Sequence, residues 1–338
     1  MRIAINGFGR IGRVFLRNVI SSPGIQVVAI NDLTDTETLA HLFKYDSVHR
    51  TFRGGVDFDA GHLYINRHQI KVLAEKDPLK LPWKELDIDL VIEATGKFTS
   101  EKGAGQHLTA GAKQVIISAP STDKNIPTIV IGVNDHLIDL HAPILSNASC
   151  TTNNVATMVK VLDDNWGIID GYITTVHSMT SDQNLHDAPH KDLRRARAAS
   201  ASIIPTTTGA AKAITNIFPH LSGKLGGAGI RVPVLNGSLT DFTCSLKKPA
   251  TVEAINLAFK HAADGPMKNI LEYTEDPIVS NDILDNPHSC IFDSKLTSVV
   301  GGLVKIVGWY DNEMGYSSRL ADLVAKINVL KHDQVYSG

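Results

Sequence analysis

The stretch INGFGRIGR, residues 5–13, decides the fold of the first part of the chain. It begins within a short apolar strand pattern, Ile3–Ile5, and runs into a helical pattern that continues to Ile20. A second apolar strand pattern, Gln26–Ile30, ends at Asn31 and Asp32. Strand, glycine-rich turn, helix and strand form one βαβ unit, the context in which a GxGxxG pattern indicates dinucleotide binding.

Each glycine of the pattern has a mechanical role. Gly7 permits the tight turn, Gly9 lets the backbone approach a pyrophosphate, and Gly12 lets the helix pack closely on the strand. The free N–H groups at the start of the helix favour a bound phosphate. Asp32, twenty residues after Gly12, is placed to accept hydrogen bonds from a ribose diol, although a loop-capping role is the alternative for this side chain.

The strand patterns divide the chain into two parts. Short apolar strands with intervening helices and turns predict a mostly parallel, doubly covered sheet in the first part, including strands at Leu90–Ile92, Gln114–Ser118, Ile129–Val133 and Ile144–Ser146. Longer strands with few helices between them predict a mainly antiparallel sheet in the second part, at Tyr172–His177, Gly229–Val234, Ser238–Leu246 and Leu303–Trp309. The predicted fold class is α/β, with a Rossmann-type dinucleotide-binding domain at 1–150 and an α+β catalytic domain at 151–315. A C-terminal helix, at about 316–332, is predicted to pack back on the first domain.

Composition excludes several classes of protein. With 33 Lys and Arg against 35 Asp and Glu, the net charge of −2 gives no sign of a nucleic-acid or membrane partner. The three cysteines, Cys150, Cys244 and Cys290, are odd in number and widely spaced, which argues against a disulfide framework and favours a reducing, cytoplasmic location. The His and Cys spacing suggests no metal site. The apolar runs are strand-sized, and the N-terminus has no signal-peptide core, so neither a membrane span nor a leader is expected.

Cys150 lies at a predicted corner between a strand and a helix. The segment SNASCTTNNVATMV, residues 146–159, places it just before apolar residues at helical spacing. A helix N-terminus favours a thiolate through its dipole and free N–H groups. Beside a nicotinamide cofactor, such a thiolate could add to an aldehyde, and the adduct could lose hydride and become a thioester. A buried structural thiol is the alternative interpretation.

His177, which closes the strand Tyr172–His177, is the candidate base. An imidazole beside Cys150 would lower the pKa of the thiol by ion pairing and would accept a proton as hydride leaves. A histidine at a strand end is more often structural, and the sequence cannot show that the two side chains meet. The catalytic pair is therefore a hypothesis about tertiary structure.

Five motifs together resemble phosphorylating glyceraldehyde-3-phosphate dehydrogenase. They are INGFGRIGR (5–13), SNASCTTN (146–153), PHKDLRRARAASASIIPTTTGAAKAI (189–214), IRVP (230–233) and WYDNEMGYSSR (309–319). The resemblance runs from residue 1 to about 330. It implies oxidation of glyceraldehyde 3-phosphate to 1,3-bisphosphoglycerate with NAD and inorganic phosphate, with Cys150 as nucleophile and His177 as base. It also implies a cytoplasmic homotetramer.

The resemblance implies two anion sites. The site for the substrate phosphate would contain Thr180, Asp182 and Arg231, with Asp182 orienting the arginine. The site for inorganic phosphate would contain Ser149, Thr151, Arg195, Thr208 and Gly209. Arginine suits firm anchoring, whereas hydroxyl and backbone N–H groups suit a phosphate that must bind, react and leave. Without the resemblance, an ordinary turn at 206–209 and a solvated face at the arginines would be the better interpretations.

The resemblance also implies further cofactor contacts. Arg10 and Ile11 would contribute backbone contacts to the pyrophosphate. Lys76 and Ser118 would line the cofactor cleft. Asn312 would hold the nicotinamide amide, and Tyr316 would pack near the ring.

The chain departs from the family pattern at two informative places. Asn154 stands where many members have a second cysteine, which the mechanism does not need. Ala188-Pro189 mixes the Leu-Pro of NAD-preferring members with the Ala-Ser of photosynthetic NADP-using ones, and so weakens the expectation of NAD. Two alternatives stay open, erythrose-4-phosphate dehydrogenase, which hydrolyses its thioester, and a binding protein that has lost the chemistry.

Overall fold

The computed structural model describes residues 1–337, and the side chains of residues 1–333. The chain separates into two compact units. The first contains Met1–Ile129, Asp135–Ala148 and the chain from Ser317 onward, and the second contains Val130–Asn134 and Ser149–Tyr316.

The first unit is built on the predicted βαβ repeat. Its elements are β1 (Arg2–Asn6), α1 (Arg10–Val19), β2 (Gln26–Asn31), α2 (Thr36–Lys44), β3 (Val56–Phe58), β4 (His62–Ile65), β5 (His68–Leu73), β6 (Leu90–Glu93), α3 (Glu101–Thr109), β7 (Val115–Ile117) and β8 (Ile144–Ser146). The eight strands form one sheet in the order β3-β4-β5-β2-β1-β6-β7-β8. In sheet order, the described strands from β5 to β8 pair in parallel, whereas β3 with β4 and β4 with β5 pair antiparallel.

The strand order places a topological switch beside β1. The chain moves from β1 to β2 on one side, and later from β6 to β8 on the other side. In open α/β sheets, ligands bind at the carboxyl ends of the strands beside such a switch. Asn6, the last residue of β1, is in register with Glu93, the last residue of β6, so these two residues mark the carboxyl edge at the switch.

The second unit is built around a mixed, mainly antiparallel sheet. Its elements are α4 (Cys150–Trp166), β9 (Ile168–Ser178), β10 (Ile204–Thr206), α5 (Ala210–Ile217), β11 (Leu225–Val232), β12 (Ser238–Leu246), α6 (Val252–Asp264), β13 (Leu271–Thr274), β14 (Cys290–Asp293), β15 (Ser298–Val300) and β16 (Leu303–Tyr310). The order is β10-β11-β9-β12-β16-β14-β13, and β15 pairs with β16. Among the described strands of this unit, β9 with β11 and β13 with β14 pair in parallel, and the other pairs are antiparallel. The predicted fold class is confirmed.

The last helix, α7 (Met314–Ser337), begins in the second unit and continues into the first. Its later residues contact other parts of the first unit. Asn18 donates to Ser318 Oγ at 3.3 Å, and Lys331 Nζ donates to Gln114 Oε1 at 3.0 Å. Within the described part of the chain, no helix is both long and apolar enough to cross a membrane.

The prediction of a strand at Ile129–Val133 is wrong. Residues 131–134 form a turn, in which Val133 and Asn134 donate their N–H groups to Val130 O at 3.1 Å. Asn134 Oδ1 accepts from Val130 N at 2.7 Å, and Gly132 adopts a φ of +81°. The N–H groups of Val130, Val133 and Asn134 bond within the turn, so they cannot pair with a neighbouring strand. The apolar pattern does not show the hydrogen bond that the Asn134 side chain accepts.

Candidate functional site

Helix α4 places Cys150 at its first position. Ser149 is the N-cap residue, and its Oγ accepts a hydrogen bond from Thr152 N at 3.0 Å. This cap satisfies one of the free N–H groups that every helix leaves at its start. The predicted corner between strand and helix is therefore present, and the Cys150 side chain lies in the field of the helix N-terminus.

The structure brings Cys150 and His177 together. Sγ of Cys150 lies 3.4 Å from Nε2 of His177, although 27 residues separate them in sequence. His177 is buried near the end of β9, and its Nδ1 lies 2.8 Å from Ser178 O. A carbonyl oxygen only accepts hydrogen bonds, so Nδ1 carries the proton and Nε2 presents its lone pair to the thiol. His177 is thus protonated at Nδ1, and its free Nε2 can act as a general base.

Arg231 completes the surroundings of His177. It lies on β11 in parallel register with His177 on β9. Its Nη1 donates to Ser178 O at 3.0 Å and to Thr180 Oγ1 at 2.9 Å, and it lies 3.1 Å from His177 Nδ1. Because Nδ1 already donates to Ser178 O, the arginine and the imidazole share this carbonyl as an acceptor. Ser178 O therefore fixes both side chains.

The electrostatics differ from the predicted ion pair. Burial raises the pKa of the Cys150 thiol, against the lowering effect of Arg231 and of hydrogen bonds from Thr151. Burial, followed by the charge of Arg231, lowers the pKa of His177 to about 3. Both shifts favour the neutral thiol and the neutral imidazole over the ion pair. The thiolate therefore forms as the proton passes to Nε2, and the nearby helix N-terminus then stabilises it.

A buried tyrosine connects the two catalytic elements and was missed in the sequence. The hydroxyl of Tyr310 lies 2.9 Å from Thr151 Oγ1 on α4 and 2.9 Å from Thr175 Oγ1 on β9. Its ring meets that of His177 edge-on, with the centroids 5.9 Å apart. Tyr310 lies inside the motif WYDNEMGYSSR, and a buried tyrosine hydroxyl usually needs a partner. The need of this hydroxyl for a hydrogen-bond partner was the signal in the sequence that could have pointed to Tyr310.

The predicted substrate-phosphate residues form one connected cluster. Asp182 accepts a hydrogen bond from Thr180 Oγ1 and an ion-paired bond from Arg195 Nη1, the latter at 2.8 Å. Burial opposes ionisation of Asp182, but the Thr180 hydrogen bond and the charges of Arg231 and Arg195 keep its pKa below the usual value. Asp182 thus pairs directly with Arg195 and is linked to Arg231 through Thr180, and Arg231 is the cation held beside the catalytic pair.

The residues predicted for inorganic phosphate are only partly connected. Arg195 Nε donates to Thr206 Oγ1 at 2.9 Å, which holds its guanidinium beside Asp182. Gly209 is the N-cap residue of α5, and Thr208 Oγ1 accepts from Ala210 N at 3.2 Å. A Cβ at Gly209 would meet no atom within 4 Å, so the backbone there is open to a ligand. Among the described residues, no hydrogen bond joins this turn to Ser149 or Thr151.

In the first unit the glycine-rich loop borders a groove. The groove has a volume of about 510 Å³ and is lined by Asn6, Gly7, Gly9, Asn31, Asp32, Leu33, Glu75, Lys76, Ala94, Thr95, Lys97 and Phe98. Gly7 has a φ of +95°, and a Cβ at Gly12 would lie 2.3 Å from Gly7 O. A Cβ at Gly9 would meet nothing within 4 Å. These are the three properties that the dinucleotide pattern requires, so the residues present fit a bound dinucleotide.

Asp32 has the loop-capping role that was considered as the alternative for it. Its carboxylate accepts from Phe8 N at 2.8 Å and from Thr34 N at 3.1 Å, so it ties the glycine-rich loop to the end of β2. A carboxylate offers about four acceptor positions, and two of them are used here. The same carboxylate therefore has capacity for a ribose diol.

The other predicted cofactor residues fall into two groups. Arg10 and Ile11 begin α1 directly after the groove-lining Gly9, and the Arg10 side chain is paired with Asp46 at 2.5 Å. Ser118 follows β7, and its N–H donates to Glu93 O at 2.9 Å. Asn312 and Tyr316 belong to the second unit. Oδ1 of Asn312 accepts from Ser178 Oγ, Ser238 Oγ and Gly237 N, which fixes the orientation of its amide.

Comparisons with known proteins show the family of the chain. Residues 1–101 match the family model of the glyceraldehyde 3-phosphate dehydrogenase NAD binding domain, and residues 149–312 match that of the C-terminal domain. The chain is 54% identical over 334 residues to glyceraldehyde-3-phosphate dehydrogenase of Mycobacterium avium, covering 97% of this chain and 98% of that protein. It is 52% identical over 329 residues to the protein of the same name from Geobacillus stearothermophilus, with the same coverage of each.

Proposed function

Since the chain belongs to the glyceraldehyde-3-phosphate dehydrogenase family, it is an NAD-dependent oxidoreductase acting on glyceraldehyde 3-phosphate, and we propose how its own residues perform the reaction. The observation that carries the proposal is the 3.4 Å contact between Cys150 Sγ and His177 Nε2, with the nitrogen lone pair directed at the sulfur. The proposed product is the acyl phosphate, 1,3-bisphosphoglycerate, formed with inorganic phosphate.

In the first step Cys150 adds to the aldehyde. His177 Nε2 takes the thiol proton while the sulfur–carbon bond forms, and it returns the proton to the former carbonyl oxygen, which gives a hemithioacetal. Arg231, aided by Thr180 and oriented through Asp182, binds the substrate phosphate. A phosphate held by a charged arginine anchors the aldehyde carbon beside the thiol.

In the second step the hemithioacetal becomes a thioester. When bound, NAD supplies the hydride acceptor. His177 Nε2 takes the hydroxyl proton again as the carbon–hydrogen bond breaks and the carbonyl re-forms. The groove of the first unit would hold the cofactor, with the Arg10 and Ile11 backbone at the pyrophosphate and Asp32 at the adenine ribose. Lys76, Ser118, Asn312 and Tyr316 are proposed cofactor contacts by family membership.

In the third step inorganic phosphate attacks the thioester carbon. The carbon–sulfur bond breaks, the acyl phosphate leaves, and the Cys150 thiolate regains its proton from His177, while the proton of the attacking phosphate is lost to solvent. We propose Ser149, Thr151, Arg195, Thr208 and Gly209 as the residues that bind this phosphate. The cation of this set, Arg195, is already paired with Asp182 at 2.8 Å, so hydroxyl groups and a helix N-terminus would hold this phosphate less firmly than Arg231 holds the substrate, which suits a group that must depart.

The test is the rate of NADH production from glyceraldehyde 3-phosphate with and without inorganic phosphate. We expect a rate that depends on phosphate. The same assay with erythrose 4-phosphate tests the alternative, erythrose-4-phosphate dehydrogenase. Because that enzyme hydrolyses its thioester, its rate would not depend on phosphate. A faster, phosphate-independent reaction of erythrose 4-phosphate would overturn the proposed substrate and product.

We also propose a cytoplasmic homotetramer. The second unit exposes several large apolar side chains, namely Tyr172, Leu185, Leu193, Ile203 and Leu235. Large exposed apolar side chains are typical of surfaces that subunit contacts cover. Light scattering should give a mass of four chains, and a monomer at micromolar concentration would contradict the proposal.

Replacing Arg231 by alanine is expected to lower kcat/KM more for the phosphorylated aldehyde than for the unphosphorylated one. The variant should lose roughly tenfold to a hundredfold in kcat/KM for the phosphorylated aldehyde, because a charge-assisted contact contributes about 1.5–3 kcal/mol. Unphosphorylated glyceraldehyde should lose much less. Arg194→Ala is the matched control, since Arg194 is an exposed arginine of the neighbouring loop. Equal losses for both aldehydes in the Arg231 variant would show a purely structural role.

Preference for NAD over NADP is expected from Asp32. Its carboxylate accepts hydrogen bonds from both ribose hydroxyls of NAD, whereas it would repel the 2′-phosphate of NADP. The following residues, Leu33 and Thr34, add no positive charge. Ala188 leaves room that leucine would fill, but charge repulsion at short range should outweigh added room.

The measurement is kcat/KM for each cofactor at saturating aldehyde and phosphate. Asp32→Ala should narrow the difference between the two cofactors. Because Asp32 also binds Phe8 N, Asp32→Asn is the better-matched variant, since its oxygen can keep one loop hydrogen bond while the charge is lost. Equal use of both cofactors by the wild type would show that the surroundings of Ala188 dominate.

A further inference from the structure

A chain of buried polar side chains lies beneath the groove of the first unit. Trp83, Glu93, His107 and Asn6 are each at most 1% exposed, and Asn31 is 6% exposed. Trp83 Nε1 donates to His107 Nδ1 at 3.0 Å, and His107 Nε2 lies 3.0 Å from Glu93 Oε2. Asn6 Nδ2 donates to the same oxygen at 2.6 Å. We name these four residues the Glu93 network.

The hydrogen-bond directions in this network are fixed by its ends. An indole N–H only donates, so His107 Nδ1 must be the acceptor and Nε2 must carry the proton. His107 therefore donates to Glu93 as a neutral imidazole. Glu93 Oε1 accepts from Thr95 N at 2.8 Å and from Thr95 Oγ1. The carboxylate is thus a pure acceptor of four hydrogen bonds.

The network reaches three loops that border the groove. Asn6 immediately precedes Gly7, and its Oδ1 accepts from Asn31 Nδ2 at 2.7 Å. Asn31 immediately precedes Asp32, and its side chain exchanges hydrogen bonds with the backbone of Glu75, next to Lys76. One carboxylate therefore fixes the residues that lead into the glycine-rich loop, the Asp32 turn and the Lys76 loop.

The position of Glu93 in the sheet explains why this matters. Asn6 and Glu93 end the two strands that flank the topological switch, and their side chains bond across it. Burying a carboxylate is costly unless it is fully hydrogen-bonded, and among the described residues no lysine or arginine is paired with Glu93. An apolar side chain would fill the same space at lower cost, so stability alone does not account for a charge at this place.

We propose that Glu93 is a positioning residue for NAD binding, which acts through Asn6, Asn31 and Thr95 without touching the cofactor. This inference rests on the proposed function only in taking the groove of the first unit as the NAD site. In the absence of ligand the network holds the carboxyl ends of β1, β2 and β6 in their binding geometry. Preorganised loops bind more tightly because less ordering remains to be done on binding.

Glu93→Gln tests this chemistry with almost no change in shape. An amide keeps one acceptor oxygen and introduces an NH₂ group that must face either Thr95 or the donors of Asn6 and His107. His107 cannot accept at Nε2 without placing a proton on Nδ1, where it would face the Trp83 N–H. A buried donor is therefore left unsatisfied, and we expect roughly a tenfold rise in the Kd of NAD by titration calorimetry.

Glu101→Gln is the matched control, because Glu101 is an exposed carboxylate of the same unit that begins α3 and lies outside the groove. The second readout is the rate of Cys150 alkylation without NAD, which should equal that of the wild type, since both catalytic residues belong to the other unit. A lower melting temperature with an unchanged Kd would mean that Glu93 has only a structural role and would overturn the inference.

A second variant covers the case in which Glu93→Gln does not fold. His107→Leu removes one donor to Glu93 and leaves every groove-lining residue in place, and we expect its Kd for NAD to rise severalfold. A Kd equal to that of the wild type would overturn the inference. A wild-type chain that does not bind NAD would overturn the proposed function itself, whereas wild-type binding with equal affinity in the variants would overturn this inference alone.

Discussion

Cys150→Ser is expected to abolish oxidation of the aldehyde while it leaves the Kd of NAD nearly unchanged. Turnover should fall by at least about 10⁴-fold, because a serine hydroxyl is hardly ionised near neutral pH, and the same holds for the neighbouring hydroxyl groups of Ser149 and Thr151. The cofactor groove belongs to the other unit and contains no part of α4. Phosphate-dependent NADH production and calorimetric titration with NAD measure the two effects separately.

Selective labelling supplies the control for Cys150. Cys244 and Cys290 are buried strand residues, and burial raises the pKa of Cys244 to about 12 and that of Cys290 further still. A thiol alkylator should therefore react first at Cys150, which is partly exposed. Cys244→Ala is the matched variant and should keep its activity. Preferential labelling of Cys244 or Cys290 in the native protein would contradict the assignment of Cys150.

His177→Asn is expected to lower turnover by about 10²–10⁴-fold, the usual contribution of a positioned general base. Asparagine fills similar space but takes no proton, so the Cys150 thiol must ionise without a local acceptor. Alkylation of Cys150 near neutral pH should therefore slow, and its pH profile should move toward higher pH. An unchanged alkylation profile would refute the pairing of the two residues.

The pKa of His177 also predicts how the stability of the protein depends on pH. The folded value of about 3 lies below the unfolded value of about 6.5, so the unfolded chain binds the proton first as the pH falls. The stabilising contribution of neutral His177 is complete above pH 6.5 and is lost as the pH falls toward 3. Through this group the free energy of unfolding can fall by at most about 1.4 kcal/mol per pH unit. Urea unfolding at several pH values should show a steeper loss in the wild type than in His177→Asn, and parallel curves would contradict the pKa.

Much of the fold could be predicted because its signals are local. The strand pattern of Ile3–Ile5, the three glycines and the helical spacing after them are local properties of INGFGRIGR, and the structure has the strand, turn and helix there. The helix that follows Cys150 was readable in the same way. The exception, at Ile129–Val133, failed because one side chain, Asn134, competes with the neighbouring strands for backbone hydrogen bonds.

The sequence by itself determined most of the local helices and strands and, through five motifs, the family. Only the tertiary structure decided which side chains meet. Cys150 and His177 come together because α4 packs on the sheet that contains β9, and Arg231 joins them because β11 pairs with β9 in one particular register. Tyr310 and the Glu93 network were missed because a buried polar side chain shows in sequence only that it needs partners. Strand order and register choose those partners, and they are set by the packing of the whole unit and by no single segment.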